Sequence, residues 1–150
     1  MDNAPLDALA AHFAGMPPVA ALQLRIAGHA PGRLRLEAPL AANVNDKGCA
    51  FGGSLVSLMT LAGWGLGFLT LAEAGLAADI FVADSRVRYL KPVFEDLRVE
   101  AGFDAEGEQA ALVDALRRQG RASVRMQARA LLADGAVAAT LAARYVAIAR

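Results

Sequence analysis

The sequence has few of the residues on which many functional sites depend. Its 150 residues include one cysteine and two histidines, and 6% of the chain is aromatic. The single cysteine, Cys49, cannot form a disulfide within the chain, which fits a reducing compartment such as the cytoplasm. Neither His12 nor His29 stands at metal-ligand spacing from another His, Cys, Asp or Glu. We therefore expect no metal site and no cofactor.

Net charge is also missing, because 15 basic residues balance 15 acidic ones. Without a net positive field a general nucleic-acid binder is disfavoured, so we expect no nucleic-acid partner. Apolar residues make up 56% of the chain, which excludes disorder and predicts one compact domain over residues 1–150. Residues 1–14 contain Asp2 and Asp7 and no basic residue, unlike a signal peptide, so a cytoplasmic location is expected.

Residues 48–72 contain no charged side chain. A run of this length could in principle cross a bilayer. However, six glycines, two serines and two threonines dilute its hydropathy, and the flanking Lys47 and Glu73 give no positive-inside asymmetry. A helix that is apolar all round must be buried in lipid or in protein, and these features favour the core of a protein.

Periodicity predicts a coarse order of helix, two strands, long helix, two strands, short helix and two strands. Apolar spacing predicts helices over residues 3–14, 54–74 and 109–119, with residues 40–53 as a loop. Alternation predicts strands over residues 21–27, 34–38, 80–89, 97–103, 123–132 and 137–149, with turns at 29–32 and at Asp134-Gly135. Six strands and one long apolar helix indicate an α+β fold in which an antiparallel sheet curls around that helix.

Strand 80–89 carries two different faces. One holds small and apolar residues and is predicted to face the helix: Phe81, Ala83, Ser85, Val87 and Tyr89. The opposite face carries Ile80, Val82, Asp84, Arg86 and Arg88, and an aspartate among arginines is typical of a surface ion pair. Ser85 is therefore expected nearer to any site on the helix than Asp84.

The loop before the long helix is the most informative segment for chemistry. Gly52 and Gly53 run directly into the helix, whose first turn has unpaired N–H groups and the positive end of the helix dipole. Such a corner could hold a carbonyl oxygen that becomes an oxyanion. The alternative is a tight corner without chemistry, with Asn45 capping a turn, and local physics alone favours this alternative. Ser54 lacks the second glycine of a nucleophile elbow, and Cys49 is interpreted as a small core residue.

The pattern Asn45-x-x-Gly48-x-x-Phe51-Gly52-Gly53, followed by the long helix and Tyr89-x-x-Pro92, resembles the hotdog-fold thioesterase superfamily. Within this superfamily, the sequence of residues 45–55 and 61–65 is most similar to the thioesterase domain at the C-terminus of YiiD-type proteins. The resemblance covers residues 15–149. It implies a hotdog fold, a homodimer or dimer of dimers, and hydrolysis of acyl-CoA or acyl-carrier-protein thioesters, with no membrane span.

The resemblance also implies roles for individual residues. The N–H of Gly52, with Gly53, would polarise the thioester carbonyl, and Asn45 would orient the water or the thioester. Phe51 and Ser54 beside the glycines would contact the substrate. Phe51 stands where dehydratases of this fold need a histidine, which argues against dehydratase chemistry.

Thr60 departs from the family pattern, because relatives place a catalytic Asp or Glu at this position. A threonine hydroxyl cannot act as a general base near neutral pH. Asp84 or Asp46 could replace it, from the same or the partner subunit, and Ser85 is a further candidate. A second interpretation is therefore a domain that binds acyl-CoA or an acyl-carrier protein without hydrolysing its thioester.

Two basic clusters could meet CoA phosphates or an acidic carrier protein. The first contains Arg86, Arg88 and Lys91, of which Arg88 and Lys91 are the predicted substrate-binding residues, and the second contains Arg117, Arg118 and Arg121. The alternative for both is a solvated surface.

Overall fold

The computed structural model describes residues 3–150. Its helices are α1 (Ala4–Gly15), α2 (Pro17–Ala20), α3 (Gly52–Glu73) and α4 (Glu108–Gln119), with a 3-10 turn at Leu40–Ala42. Its strands are β1 (Arg25–Ala30), β2 (Arg33–Ala38), β3 (Ala78–Tyr89), β4 (Leu97–Phe103), β5 (Arg121–Leu131) and β6 (Val137–Ala149). This order is the predicted one with α2 added.

The six strands form one antiparallel sheet in the order β1-β2-β4-β5-β6-β3. Helix α3 packs against β2, β3, β4, β5 and β6, so the sheet curls around it as predicted. β3 lies at one edge of the sheet and carries the residues that meet the start of α3. The α+β architecture is therefore confirmed.

Helix α3 contains most of the charge-free segment and ends on Glu73. By length and composition it could cross a membrane, with a mean hydropathy of 1.7, but 61% of that apolar window is buried inside the fold. Two glycines let neighbouring side chains approach its backbone. A Cβ at Gly65 would stand 2.7 Å from Leu34 Cδ2, and one at Gly63 would stand 2.8 Å from Tyr145 Cζ. Here the helix is the core around which the sheet is built.

One face of the sheet is exposed to solvent and the other is buried against α3, and the residue pattern of the strands explains why. In β5, exposed and buried residues alternate along the whole strand. The buried set is small and apolar and faces α3: Ala122, Val124, Met126, Ala128 and Ala130. The exposed set includes three arginines, Arg121, Arg125 and Arg129. Alternation of this kind is what one buried sheet face requires.

The predicted strand at 21–27 is wrong at its start, and the predicted turn at 29–32 is too long. Pro17 begins the helical turn α2, as proline does readily at a helix start, and Gln23 has a φ of 57°, which interrupts an extended chain. β1 therefore begins only at Arg25. It continues through His29 and Ala30, so the turn is confined to residues 31–32.

The predicted faces of β3 are also wrong in the first half of the strand. The register with β6 shifts between Val82 and Asp84, which is a β-bulge at Ala83. A bulge adds one residue and so reverses which side chains face inward. Before it Ile80 faces the core while Phe81 is exposed; after it Ser85, Val87 and Tyr89 face the α3 side, as predicted.

Helix α3 begins two residues earlier than predicted, because Gly52 and Gly53 form its first turn rather than the end of the loop. The helix ends at Glu73, and Gly75 follows with a φ of 75°, the left-handed conformation that commonly ends a helix. β4 and β6 have the predicted bounds. The hairpin turn at Asp134-Gly135 is confirmed, with Gly135 at a φ of 89°.

Candidate functional site

The loop that precedes α3 is held in place by backbone and amide hydrogen bonds. The buried Asn43 side chain donates to the carbonyl oxygens of Leu22 and Pro39, both at 2.9 Å. The Asn43 carbonyl accepts the N–H of Phe51 at 2.7 Å, and Ala50 N–H donates to Val93 O at 2.8 Å. The backbone that leads into the helix is therefore fixed from both sides.

Asn45 shapes the same loop. Its side-chain oxygen accepts the N–H groups of Lys47 at 2.8 Å and Cys49 at 3.1 Å. Its amide nitrogen lies 3.3 Å from the sulfur of Cys49, which is buried. This is the turn-capping arrangement that the sequence allowed as an alternative. The predicted orienting role of Asn45 in catalysis stays a prediction.

The glycine pair leaves two donors open at the start of α3. The N–H groups of Ser54 and Leu55 already bind the carbonyl of Phe51, at 3.0 and 3.2 Å. Within residues 3–150, the N–H groups of Gly52 and Gly53 have no hydrogen-bond partner, and the N-cap residue Phe51 has no side-chain acceptor to offer. Free N–H groups at the positive end of a helix attract an oxygen that bears negative charge.

Two aromatic side chains frame this helix start. Tyr89, at the end of β3, donates its hydroxyl to Gly52 O at 3.1 Å and is 57% exposed. The ring of Phe51 lies over Gly53, where a Cβ would stand 2.5 Å from the ring carbon Cε2. Only glycine admits the ring so close to the backbone. Tyr89 belongs to the motif but was not predicted as a site residue; its position opposite Gly52 depends on the sheet.

A line of hydroxyl groups continues from the glycines along the uncovered face of α3. At 100° per residue, Gly53, Ser57 and Thr60 lie within about 60° of one another, with Thr60 about 10 Å beyond Gly53. Ser57 is exposed and Thr60 half-buried. Ser57 was missed in the sequence, although it stands one helical turn after Gly53.

Ser85 faces the same side from β3. α3 and β3 run in opposite directions, because Tyr89 touches Gly52 whereas Trp64 Nε1 donates to Ile80 O at 2.9 Å. Ser85 therefore lies along β3 between these two contacts. Ser57, Thr60 and Ser85 offer hydroxyl groups here, and none of them is a carboxylate.

Tyr145 of β6 fixes the position of α3 beside Thr60. Its hydroxyl donates to Thr60 O at 2.7 Å, entering the space left by the missing side chain of Gly63. Burial raises the pKa of the Tyr145 phenol well above its ordinary value of 10.0. The hydroxyl therefore stays protonated and keeps donating throughout the physiological pH range.

The remaining predicted residues are placed less directly. Asp84 lies on the outer face of the sheet and forms an ion pair with Arg144 at 3.1 Å, which confirms the expected ion pair and turns Asp84 away from α3. Asp46 is exposed and lies 2.9 Å from Lys47 Nζ. Ser54 is buried, so its side chain is turned from the open face of the helix. Arg88 and Lys91 are exposed and lie one and two residues from Tyr89, which contacts the glycine corner formed by Gly52 and Gly53.

The described residues contain no group of three or more His, Cys, Asp or Glu side chains that could hold a metal ion.

The comparison with known proteins decides the family. Residues 8–149 match the family described as "Putative thioesterase (yiiD_Cterm)". The chain belongs to this YiiD C-terminal thioesterase family. Its predicted membership is thereby confirmed, and the match covers nearly the whole chain.

Solved structures agree with this assignment. A thioesterase-named protein from Shewanella oneidensis is 28% identical, with a TM-score of 0.87 over 98% of this chain and 99% of its own. A Pseudomonas aeruginosa protein, also named as a thioesterase, is 27% identical, with a TM-score of 0.80 and 97% of each chain covered. A protein from Chlorobaculum tepidum TLS has 26% identity and a TM-score of 0.88, covering 96% of this chain and 94% of its own. The fold is the hotdog fold that the resemblance implied.

Proposed function

We propose that the chain hydrolyses acyl thioesters, acyl-CoA or acyl-carrier-protein, at the start of α3. The observation that carries this proposal is the pair of free N–H groups at Gly52 and Gly53. The carbonyl oxygen of a thioester gains negative charge when water attacks its carbon. Two N–H groups fixed at a helix start stabilise that charge, and a single such donor contributes about 10²–10³ in rate in other enzymes.

The attacking water would lie on the hydroxyl side of the corner. Ser57, Thr60 and Ser85 can orient water by hydrogen bonding, but hydroxyl groups do not accept its proton near neutral pH. Asp84 is turned to the outer face of its own protomer. We propose that a carboxylate of the partner subunit serves as the general base in a dimer.

The edge strand β3 supports a dimer. It is 12 residues long, its outer edge has no neighbouring strand within the described chain, and Phe81 and Val82 are 56% and 46% exposed. A long apolar edge strand is a template for pairing with another strand. Two copies related by a two-fold axis would pair their β3 strands and bring each glycine corner beside the partner.

The experiment that tests hydrolysis is an assay of purified, folded protein against acyl-CoAs and acyl-carrier proteins of graded chain length. We expect turnover of at least one thioester. Absence of turnover across the panel, with protein shown to be folded and dimeric by light scattering, would refute the hydrolase proposal.

The missing carboxylate at Thr60 favours a second candidate, a domain that binds the thioester and does not hydrolyse it. In that case a non-hydrolysable acyl-CoA analogue would raise the melting temperature while the true thioester stays intact. Thr60→Asp would then be expected to create activity in an inactive parent. A true hydrolase would turn over its substrate without this substitution.

A further inference from the structure

The chain has no net charge, but its charged residues are distributed unevenly over the surface. The outer face of the sheet, which points away from α3, is positive. Its basic residues come from every strand: Arg25, Arg33, Arg35, Arg86, Arg88, Arg98, Arg121, Arg125, Arg129 and Arg144. Its acidic residues are four: Glu37, Asp79, Asp84 and Glu100. Ten arginines against four carboxylates give the strand residues of this face a net charge of +6.

Half of these arginines have no carboxylate partner among residues 3–150. The other half form ion pairs, such as Arg25 with Glu37 at 2.6 Å and Arg129 with Glu100 at 3.6 Å. The unpaired ones are Arg35, Arg86, Arg88, Arg121 and Arg125. Their unpaired guanidinium groups can bind an anionic partner bidentately without first breaking an ion pair.

The positive surface is broad. Sheet register places Arg35, Glu100, Arg129, Thr140 and Arg88 in one row across five strands. At about 4.8 Å between strands that row spans roughly 19 Å. Along β5, Arg121 and Arg129 are eight residues apart, or roughly 27 Å. The phosphates of one CoA molecule are a compact group and would meet only a corner of such a surface.

The outer face of the sheet also contains a cleft, and one of its borders approaches the glycine corner. A cleft of about 550 Å³ lies between the outer face and the start of α4. Its lining carries charges of both signs: Arg33, Arg129, Glu100, Asp104 and Glu106. At the other border Arg88 directly precedes Tyr89, whose hydroxyl touches Gly52. Arg88 faces outward and Tyr89 faces α3, so a carrier protein bound near this end of β3 would pass its acyl arm around the end of the strand to reach the glycine corner.

We propose that the outer face of the sheet docks an acidic carrier protein, so that the physiological thioester is carried by a protein rather than by CoA. This inference rests on the proposed hydrolysis of acyl thioesters. Complementary charge is the supporting argument: arginine is enriched in protein interfaces, and opposed potentials steer two proteins together. The four carboxylates on the face fit a protein partner of mixed charge better than a nucleic acid, whose backbone is uniformly negative.

The test compares one acyl group on two carriers, a bacterial acyl-carrier protein and CoA. The variant Arg35→Glu/Arg125→Glu reverses two unpaired charges on strands that do not touch the glycine corner. We expect kcat/KM for the carrier-protein substrate to fall at least roughly tenfold, while the value for acyl-CoA changes less than about twofold. The loss should shrink as salt rises.

The comparison variant is Arg117→Glu/Arg118→Glu on α4, in the second basic cluster that the sequence offered as a binding surface. It changes the net charge of the chain by the same amount but lies off the sheet face, so it tests the two surfaces against each other. We expect it to leave the preference between the two carriers unchanged. An equal fall in both double variants would mean that overall charge or the α4 cluster, rather than the sheet face alone, attracts the carrier protein, and would overturn the proposal.

Two further outcomes separate this inference from the proposed function. If neither thioester is hydrolysed, calorimetric titration with the acyl-carrier protein decides: binding that Arg35→Glu/Arg125→Glu abolishes supports docking, and no binding refutes it. If both thioesters are hydrolysed with equal efficiency, and the double variant instead loses binding to labelled RNA, the face is a nucleic-acid surface and the proposal fails.

Discussion

Two glycines on α3 should respond in opposite directions to the same substitution. Replacing a glycine inside a helix with alanine ordinarily stabilises it by about 0.5–1 kcal/mol. A Cβ at Gly67 would have Met126 Cε at 3.4 Å and Ile80 Cδ1 at 3.7 Å, which is ordinary contact. Gly67→Ala should therefore gain about 0.5–1 kcal/mol.

Gly63→Ala should lose stability, because the new methyl group would overlap the Tyr145 hydroxyl and stand 2.8 Å from Cζ. The ring cannot move away without breaking its 2.7 Å hydrogen bond to Thr60 O. Overpacking of this kind costs about 1–3 kcal/mol, which exceeds the gain in helix propensity. Tyr145→Phe in the Gly63→Ala background should recover part of the loss, since it removes the oxygen but leaves the ring carbons.

The assay is thermal unfolding of the parent and the variants at one protein concentration, because the melting temperature of the proposed dimer would depend on concentration. In a domain of this size 1 kcal/mol moves the melting temperature by about 2–4 °C. Gly67→Ala should melt above the parent and Gly63→Ala below it. If Gly63→Ala raised the melting temperature as much as Gly67→Ala, the close contact between Tyr145 and the helix would be refuted.

Three other predictions concern the site and its support. Asn45→Ala should lower turnover at least roughly tenfold, equivalent to about 1.4 kcal/mol of transition-state stabilisation; unchanged kcat in steady-state assays would remove Asn45 from the mechanism. Tyr89→Phe removes the 3.1 Å hydrogen bond to Gly52 O, so kcat should fall while stability changes by at most about 1.5 kcal/mol; a lower melting temperature with unchanged kcat would make Tyr89 structural only. Burial raises the pKa of Tyr145 in the folded state, so its contribution is complete below pH 10.0 and is lost above it, by about 1.4 kcal/mol per pH unit. Denaturant titrations at pH 9 and 11 should show a steeper loss for the parent than for Tyr145→Phe, and equal losses would contradict the burial of this phenol.

Most of the fold could be predicted from the sequence because its signals are local. Apolar and polar residues alternate in β4, β5 and β6 because one sheet face is buried and the other is exposed to solvent. The bounds of β4 and β6 could be predicted from this alternation. The long apolar run could only be a buried helix or a membrane span. Gly52 and Gly53 next to that helix also identified the candidate corner, because free N–H groups at a helix start are a property of the backbone.

The predictions that failed concern two places where a few residues change the direction of the backbone. The bulge at Ala83 reverses the inward face of β3, and no periodicity in residues 80–89 marks it. The helical turn at Pro17–Ala20 displaced the predicted first strand. Both events change which side of the chain faces the core, and neither leaves a signal in the amino-acid composition.

The sequence by itself determined that this chain has a long apolar helix next to a glycine pair and that it belongs to the YiiD C-terminal thioesterase family. Only the tertiary structure decided that Tyr89 meets Gly52, that Asp84 is turned to the outer face, and that Tyr145 enters the space beside Gly63. It also decided that arginines from all six strands share one face. The reason is physical: local pattern fixes the elements, but strand order and register bring distant residues together, and a neutral net charge carries no information about where the charges lie.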